Sequence, residues 1–339
     1  MTQVKSSSST NIDDILDPTK NKIHFTDVQR QDLQDIYNLQ LASIWVPSEV
    51  KYEDDAVSVK EAKLDGTIWR LLKYTVAFVL YADKILMDGI AKFTDHIHDA
   101  SAKHFYGLQA AMEGIHNITY EEAAKHYFGP EEREELIELA ENSKSVNKLF
   151  GWCKRFLDTG DGKDHKKVSR SVFGNAISEG LFFQSSFVFI FWLKSKGMFP
   201  AFAFANELIS RDEKIHYDNG AVLIRKYLTH SKPPESEARE IMSEAVETLN
   251  EFFAEALGDG DLIGLTVKQM RIHIEYVADC MLIDMGYEKL YGVEDCPFDF
   301  MNSQAVPGKT NFFEKKVGEY SIGGRTIAYD SIIPDDIPF

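Results

Sequence analysis

Two glutamate–histidine pairs are the residues of this sequence best suited to metal chemistry. Glu113 is followed three residues later by His116, and Glu213 and His216 repeat that spacing further along the chain. Residues three apart share one face of an α-helix, so each pair can direct a carboxylate and an imidazole at one metal ion. Two such helices, each with a neighbouring helix that adds one carboxylate, form the dinuclear site of carboxylate-bridged four-helix bundles. The pattern therefore predicts a dimetal centre.

The neighbours of both pairs are apolar. Met112 and Ile115 flank the first pair, and Ile209 and Ile215 flank the second. A single Glu-x-x-His is more often a solvated helix face or a core histidine. A carboxylate among apolar residues is costly unless it is paired or coordinated. Repetition in an apolar setting therefore favours metal binding.

Two further carboxylates are expected from the helices that precede the pairs. Glu179 is the only acidic residue between positions 167 and 207, and its neighbours are Phe and Ile. Before the first pair both Asp83 and Asp88 are candidates. Five residues rotate a helix position by about 140°, so both cannot face one site. Asp83 continues the apolar row that precedes it and is preferred, whereas Asp88 is predicted to be solvated.

The negative charge of the predicted ligand set balances the charge of two divalent ions. Its four carboxylates carry four negative charges. Oxygen-rich ligation with one imidazole per metal suits iron or manganese better than zinc or copper. The set consists of Asp83, Glu113, His116, Glu179, Glu213 and His216.

Composition excludes several classes of function. The 339 residues are 44% hydrophobic and 27% charged, which is typical of a soluble globular protein. A net charge of −17 argues against nucleic acid or an anionic membrane as a partner. The three cysteines form no Cys-x-x-Cys pair, which fits a reducing cytosol. The segment 181–193 is interrupted by polar residues and is too short to cross a bilayer, and residues 1–14 lack a secretory signal. We expect a cytoplasmic protein.

Helical periodicity dominates the chain from about residue 28, and hairpin signals are absent. The sequence therefore predicts one all-α domain over 23–306. Residues 1–22 are polar and predicted to be disordered, and residues 307–339 are predicted to form a flexible acidic tail. Predicted helical runs cover Trp69–Phe93, Lys103–His116 and onward, Pro130–Asn142, Arg170–Lys194, Phe202–Tyr227, Glu235–Leu257 and Leu265–Met285.

Tyr120 lies one helical turn beyond His116, on the face expected to hold the metals. Phe183 and Phe187 lie one and two helical turns after Glu179. Ile209 lies one turn before Glu213. These three side chains are predicted to form a dry apolar wall around Tyr120. A core tyrosine with a hydrogen-bonded hydroxyl is the simpler interpretation. A protected phenol beside a redox-active dimetal centre also indicates a stored radical.

Several segments resemble those of one family, the small, radical-generating subunit of class I ribonucleotide reductase, in its eukaryotic or viral branch. The resemblance runs from about residue 22 to Tyr320. The matching segments are Trp45-Val-Pro-Ser-Glu-Val, Phe105–His116 with Tyr120, Glu179-Gly-Leu-Phe-Phe, Asn206–His216 and Lys309–Tyr320.

The resemblance assigns roles to individual positions. The family's six ligands fall on the six residues named above, and its radical tyrosine falls on Tyr120. Its electron relay would run from His116 through Asp212 to Trp45, and its mobile tail tyrosine falls on Tyr320. Asp212 suits this role because a carboxylate that accepts the outer N–H of a metal-bound imidazole fixes the orientation of the ring.

The resemblance also implies a ferritin-like helical bundle, a homodimer, and docking on a large catalytic subunit through the C-terminal tail. The cofactors would be two iron ions per chain, or a manganese-containing centre, with O₂ for activation. The pair of subunits would reduce ribonucleoside diphosphates in the cytoplasm, which is the host's if the chain is viral. This chain alone should not turn over nucleotide, because it has no Gly-rich phosphate loop of the usual types.

Two alternatives share parts of this pattern. A stand-alone ferritin-like dimetal oxidase would need the six ligands but neither Trp45, Asp212 nor the Tyr320 tail. A non-radical partner subunit acting as a scaffold would be expected to have lost ligands, and none is missing.

Overall fold

The structure, a computed structural model, describes residues 13–20, 30–156, 158–303, 320–322 and 325–327. These residues form a helical bundle. The α-helices are α1 Gln31–Ala42, α2 Ala56–Ala62, α3 Gly66–Thr94, α4 Ala100–Tyr127, α5 Pro130–Asn142, α6 Lys144–Arg155, α7 His165–Ile177, α8 Gln184–Ser195, α9 Pro200–Val222, α10 Glu235–Leu257, α11 Val267–Asp284 and α12 Asp299–Ser303. The π-helical segments Ser178–Phe183 and Leu223–Tyr227 continue α7 and α9.

The long helices α3, α4, α7 and α9 form the centre of the bundle. Helix α3 packs along α4 and also against α7, and α9 packs against α7, α8 and α4. The side chain of Asp65 caps α3 by accepting the backbone N–H groups of Thr67 and Ile68, and Asp99 caps α4 through Ala102. The predicted all-α, ferritin-like fold is confirmed.

Helices α7 and α8 and the π-helical segment between them form one continuous rod, His165–Ser195. At 31 residues the rod is long and apolar enough to cross a bilayer. The sequence analysis considered only residues 181–193 and for that reason found the segment too short. Its apolar window is entirely buried inside the protein. The apolar character of the rod therefore belongs to the core of the bundle.

Part of the N-terminal segment differs from the disorder expected for residues 1–22. The carboxylate of Asp13 accepts the backbone N–H groups of His230 and Ser231, each at 3.0 Å. Ile15 and Leu16 are buried. Apolar burial and a paired carboxylate therefore fix residues 13–17 against the loop that follows α9. Residues 1–12 lie outside the described residues.

The predicted C-terminal tail contains a short hairpin. Strand β1, Tyr320–Ile322, pairs antiparallel with β2, Arg325–Ile327, and Tyr320 lies opposite Ile327. The sequence analysis expected no regular structure here. The other residues from 307 to 339 lie outside the described part of the chain.

A distant carboxylate caps α9, which bears the second glutamate–histidine pair. The buried Asp55 accepts the N–H groups of Ala201 at 2.8 Å and Phe202 at 3.0 Å, and the hydroxyl of Tyr127. A carboxylate at a helix N-terminus satisfies free donors and interacts favourably with the helix dipole. Phe199, just before α9, has a left-handed backbone (φ 51°), unusual for a residue with a bulky side chain. Asp55 therefore fixes where α9 starts.

Replacement of Asp55 by alanine should lower the free energy of unfolding by about 2–4 kcal/mol, because buried donors lose their acceptor. Denaturant unfolding of the metal-free protein measures this effect. Asp54→Ala, at the exposed neighbouring position, is the control and should change stability by less than about 0.5 kcal/mol. Equal stability of the two variants would show that Asp55 does not anchor α9.

Candidate metal centre

The structure brings the six predicted ligand side chains together in the core. Each is essentially inaccessible to solvent. Helix α3 supplies Asp83, α4 and α9 supply one glutamate–histidine pair each, and the π-helical segment supplies Glu179. Their possible ligand atoms form two groups, each with all its atoms within 4.8 Å of one another. One group is Glu113, Glu179, Glu213 and His216, and the other is Asp83, Glu113 and His116.

The paired glutamates span both imidazoles. Glu113 places Oε2 at 3.2 Å from Nδ1 of His116 and Oε1 at 3.1 Å from Nδ1 of His216. Glu213 places Oε1 at 3.0 Å from Nδ1 of His116 and Oε2 at 3.3 Å from Nδ1 of His216. One oxygen of each carboxylate thus faces each histidine. This arrangement fits two cations bridged by two carboxylates.

Asp83 and Asp88 occupy opposite environments. Asp83 is buried, and neither of its carboxylate oxygens has a hydrogen-bond partner among the described residues, whereas Asp88 is exposed. Burial, reinforced by the charge of Glu113, raises the pKa of Asp83 well above its usual value. A buried carboxylate without donors is costly, and a bound cation would remove that cost.

The π-helical segment around Glu179 contains a glycine at a point of close packing. A Cβ atom on Gly180 would lie 2.6 Å from Cε of Met281 and 2.7 Å from Cδ2 of Tyr217, so a side chain does not fit there. π-helical turns are rare and frequently occur at functional sites. Here the segment carries Glu179 into the group of carboxylates around His216.

Two amide side chains that the sequence analysis missed hold Glu179. Its Oε1 accepts hydrogen bonds from Nε2 of Gln109 at 2.6 Å and Nδ2 of Asn175 at 3.2 Å. Gln109 lies four residues before Glu113, and Asn175 lies four residues before Glu179. The only sequence signal is an amide one turn before a predicted ligand, and for Gln109 this spacing does not show that its main partner is Glu179 on another helix.

The cluster shifts the proton affinities of its members. Burial and the charges of Glu113 and Glu213 raise the pKa of Glu179 well above its usual value. Burial alone would lower the pKa of His116, but hydrogen bonds to carboxylates raise it, and the one to Asp212 contributes most to the rise. The metal-free cluster therefore retains protons that bound cations would displace.

Asp212 connects the cluster to Trp45. The indole Nε1–H of Trp45 donates to Oδ2 of Asp212 at 2.7 Å, and Nε2 of His116 lies 3.3 Å from the same oxygen. On the other oxygen, Oδ1, Asp212 accepts from Arg211 at 3.3 Å and from Gln40 at 3.4 Å. His116 thus faces the carboxylates with Nδ1 and Asp212 with Nε2.

Tyr120 is fully buried, and its hydroxyl donates to Oδ1 of Asn206 at 2.9 Å. Burial raises the pKa of Tyr120 well above its usual value, with a further contribution from Asp83, so the phenol remains protonated. The ring packs edge-on against Phe202, with centroids 6.4 Å apart. The sequence analysis did not identify Asn206 as the hydroxyl's partner or Phe202 as the ring's neighbour.

The predicted wall residues Phe183, Phe187 and Ile209 are all buried in the core. The rings of Phe183 and Phe187 lie 6.5 Å apart. Tyr320 belongs to β1, and its side chain lies outside the described part of the structure.

Comparison with known proteins identifies the family. The sequence model described as "Ribonucleotide reductase, small chain" matches residues 22–297, most of the chain. The chain belongs to this family. It is 38% identical over 295 residues to the human ribonucleoside-diphosphate reductase subunit M2, covering 86% of this chain and 73% of that protein.

A viral relative agrees with this assignment, and a solved structure shares the fold. Identity to the ribonucleoside-diphosphate reductase small chain of vaccinia virus (strain Ankara) is 35% over 327 residues, or 96% of this chain and 99% of the viral one. The fold is similar to that of the Saccharomyces cerevisiae ribonucleotide reductase Rnr4 homodimer, with a TM-score of 0.72 and 24% identity over 85% of this chain and 88% of that one.

If Asp83 is the ligand in this small chain, Asp83→Asn should weaken one metal position by more than about tenfold, because an amide carries no charge to offset the cation. The exposed Asp88→Asn is the matched control and should leave metal binding unchanged. Anaerobic titration of the metal-free variants with Fe(II) measures both. Loss of metal binding in Asp88→Asn but not in Asp83→Asn would show that Asp88 is the ligand.

Metal binding should release protons, because the pKa values of Asp83 and Glu179 are raised in the metal-free cluster. The apparent affinity for a divalent ion should therefore increase as the pH is raised. Calorimetry in two buffers with different ionisation enthalpies gives the number of protons released. An affinity independent of pH would contradict this electrostatic description.

Proposed function

We propose that this chain is the small subunit of a ribonucleoside-diphosphate reductase, and that it generates and stores a tyrosyl radical at Tyr120 for use by a large subunit. Its relatives carry the names ribonucleoside-diphosphate reductase subunit M2 and ribonucleoside-diphosphate reductase small chain. The observation that carries the proposal is the position of Asp212, which is hydrogen-bonded to Trp45 and adjacent to Nε2 of His116. A stand-alone dimetal oxidase would have no use for this connection.

The six clustered side chains would hold two metal ions. Asp83 and His116 would bind on one side, Glu179 and His216 on the other, and the two paired glutamates would bridge. Iron held there, together with O₂, would supply the one-electron oxidation of Tyr120. Iron is the expected metal, and the donor set also accommodates manganese.

The surroundings of Tyr120 suit a stored radical. Oδ1 of Asn206 accepts a hydrogen bond from the hydroxyl. A neutral amide does not deprotonate the phenol, so Tyr120 keeps its proton until oxidation, when the electron and the proton leave together and a carboxylate of the cluster would take the proton. Burial among apolar side chains keeps water away from the ring, which would protect the radical from reduction.

Beyond Tyr120, the path out of the site would run through His116, Asp212 and Trp45, which are already in contact in that order. Oδ2 of Asp212 accepts the indole proton of Trp45, and the guanidinium of Arg211 partly balances the carboxylate charge. We propose that the radical equivalent passes from Tyr120 through His116, Asp212 and Trp45, and that Tyr320 in the tail transfers it to the large subunit. The chain would act as a homodimer in the cytoplasm, with its C-terminal tail docked on that subunit.

Aerobic addition of Fe(II) to the metal-free protein should produce a tyrosyl radical detectable by electron paramagnetic resonance. Tyr120→Phe should abolish the signal because the oxidisable phenol is gone. Tyr106→Phe, which removes another fully buried tyrosine of α4, should retain it. A persistent signal in Tyr120→Phe would place the radical elsewhere, and no signal in the unmodified protein would refute the radical function.

Trp45→Phe should form the Tyr120 radical normally but reduce ribonucleotide turnover with the large subunit to background, because Asp212 loses its indole partner. Trp152→Phe is the control, since Trp152 is equally buried and lies outside the proposed path. Radical yield and deoxyribonucleotide formation are measured on the same samples. Normal turnover in Trp45→Phe would exclude this route.

A further inference from the structure

The two terminal carboxylates of the cluster are held in different ways. Asp83 makes no hydrogen bond through either oxygen among the described residues. Glu179 has Oε1 bound by two amide groups, while its Oε2 has no hydrogen-bond partner in the same part of the chain and lies 3.8 Å from Nδ1 of His216. One oxygen of Glu179 is thus fixed, and the other is available on the side of His216.

Both hydrogen bonds of the Gln109 amide go to carboxylates beside His216. Its Nε2 donates to Oε1 of Glu179 at 2.6 Å and more weakly to Oε1 of Glu113 at 3.3 Å. That glutamate oxygen is the one that lies 3.1 Å from Nδ1 of His216. Gln109 is fully buried on α4, so packing fixes the amide where it contacts the carboxylates.

We propose that Gln109, assisted by Asn175, is a positioning residue that makes the two metal positions unequal. The proposal rests on the function proposed above. Donors on Oε1 leave Oε2 of Glu179 as the atom that binds a cation beside His216. Outer hydrogen bonds of this kind orient a ligand before the metal arrives, so less conformational freedom is lost on binding.

The unequal treatment has a consequence for each position. The position beside His216 is preorganised by the amides and should depend on them. The position beside His116 takes its terminal carboxylate from Asp83, which has no such donors and can adjust to the bound ion. Removal of the Gln109 amide should therefore weaken one position and spare the other.

The test is an anaerobic titration of the metal-free, full-length chain with Mn(II), with free Mn(II) counted by electron paramagnetic resonance. The unmodified protein should bind two ions per chain. Gln109→Met keeps a side chain of similar length without a donor, and should weaken one of the two positions by about 10- to 100-fold. Asn175→Leu should act in the same direction with a smaller effect, because its hydrogen bond is longer.

Gln184→Met is the matched control, since Gln184 is also buried but lies outside the two groups of clustered ligand residues. It should bind both ions as the unmodified protein does. If Gln109→Met does not fold, as judged by circular dichroism of the metal-free protein, Asn175→Leu decides the question.

The outcomes separate this inference from the proposed function. Unchanged binding in the Gln109 and Asn175 variants, or equal weakening of both positions, would overturn the positioning role and leave the dimetal site intact. Failure of the unmodified protein to bind two ions would refute the proposed function itself.

Discussion

Four carboxylates buried around two imidazoles are the constraint on which the rest of this structure depends. Within each group the ligand atoms lie within 4.8 Å of one another. Like charges this close in a dry core repel one another, and each loses its hydration. Protons on the cluster relieve part of this cost, and two divalent cations would relieve it more completely. The surrounding bundle must hold the six side chains in place against their own repulsion.

Several features of the fold meet this demand from a distance. Asp55 fixes the start of α9 and thereby the position of Glu213 and His216 along the axis of the bundle. The π-helical turn carries Glu179 into the same group as Glu213 and His216, and Gly180 lets Met281 and Tyr217 pack closely against that turn. Asp212 gives the outer nitrogen of His116 an acceptor and joins it to Trp45. His116 and Asp212 thus belong both to the proposed metal site and to the proposed route for the electron.

The sequence predicted the parts of this arrangement that are local. A spacing of three residues identifies a shared helix face, and the apolar row before Asp83 distinguishes it from Asp88 because burial follows helical period. Contacts between segments far apart in the sequence could not be predicted. Nothing near Asp55 indicates that it caps a helix that starts at Pro200, and Asp13 gives no sign of its contact with Ser231. Gln109 was missed although it lies one turn from Glu113, since a single glutamine in an apolar row does not reveal which carboxylate it will meet.

Anomalous X-ray diffraction from crystals of the Mn(II)-loaded protein tests the central claim most directly. The account predicts two peaks about 3.5–4 Å apart, as in other two-metal sites, with Glu113 and Glu213 bridging them. Asp83 and His116 should bind one ion, and Glu179 and His216 the other. A single ion, or ions bound away from these six side chains, would contradict it.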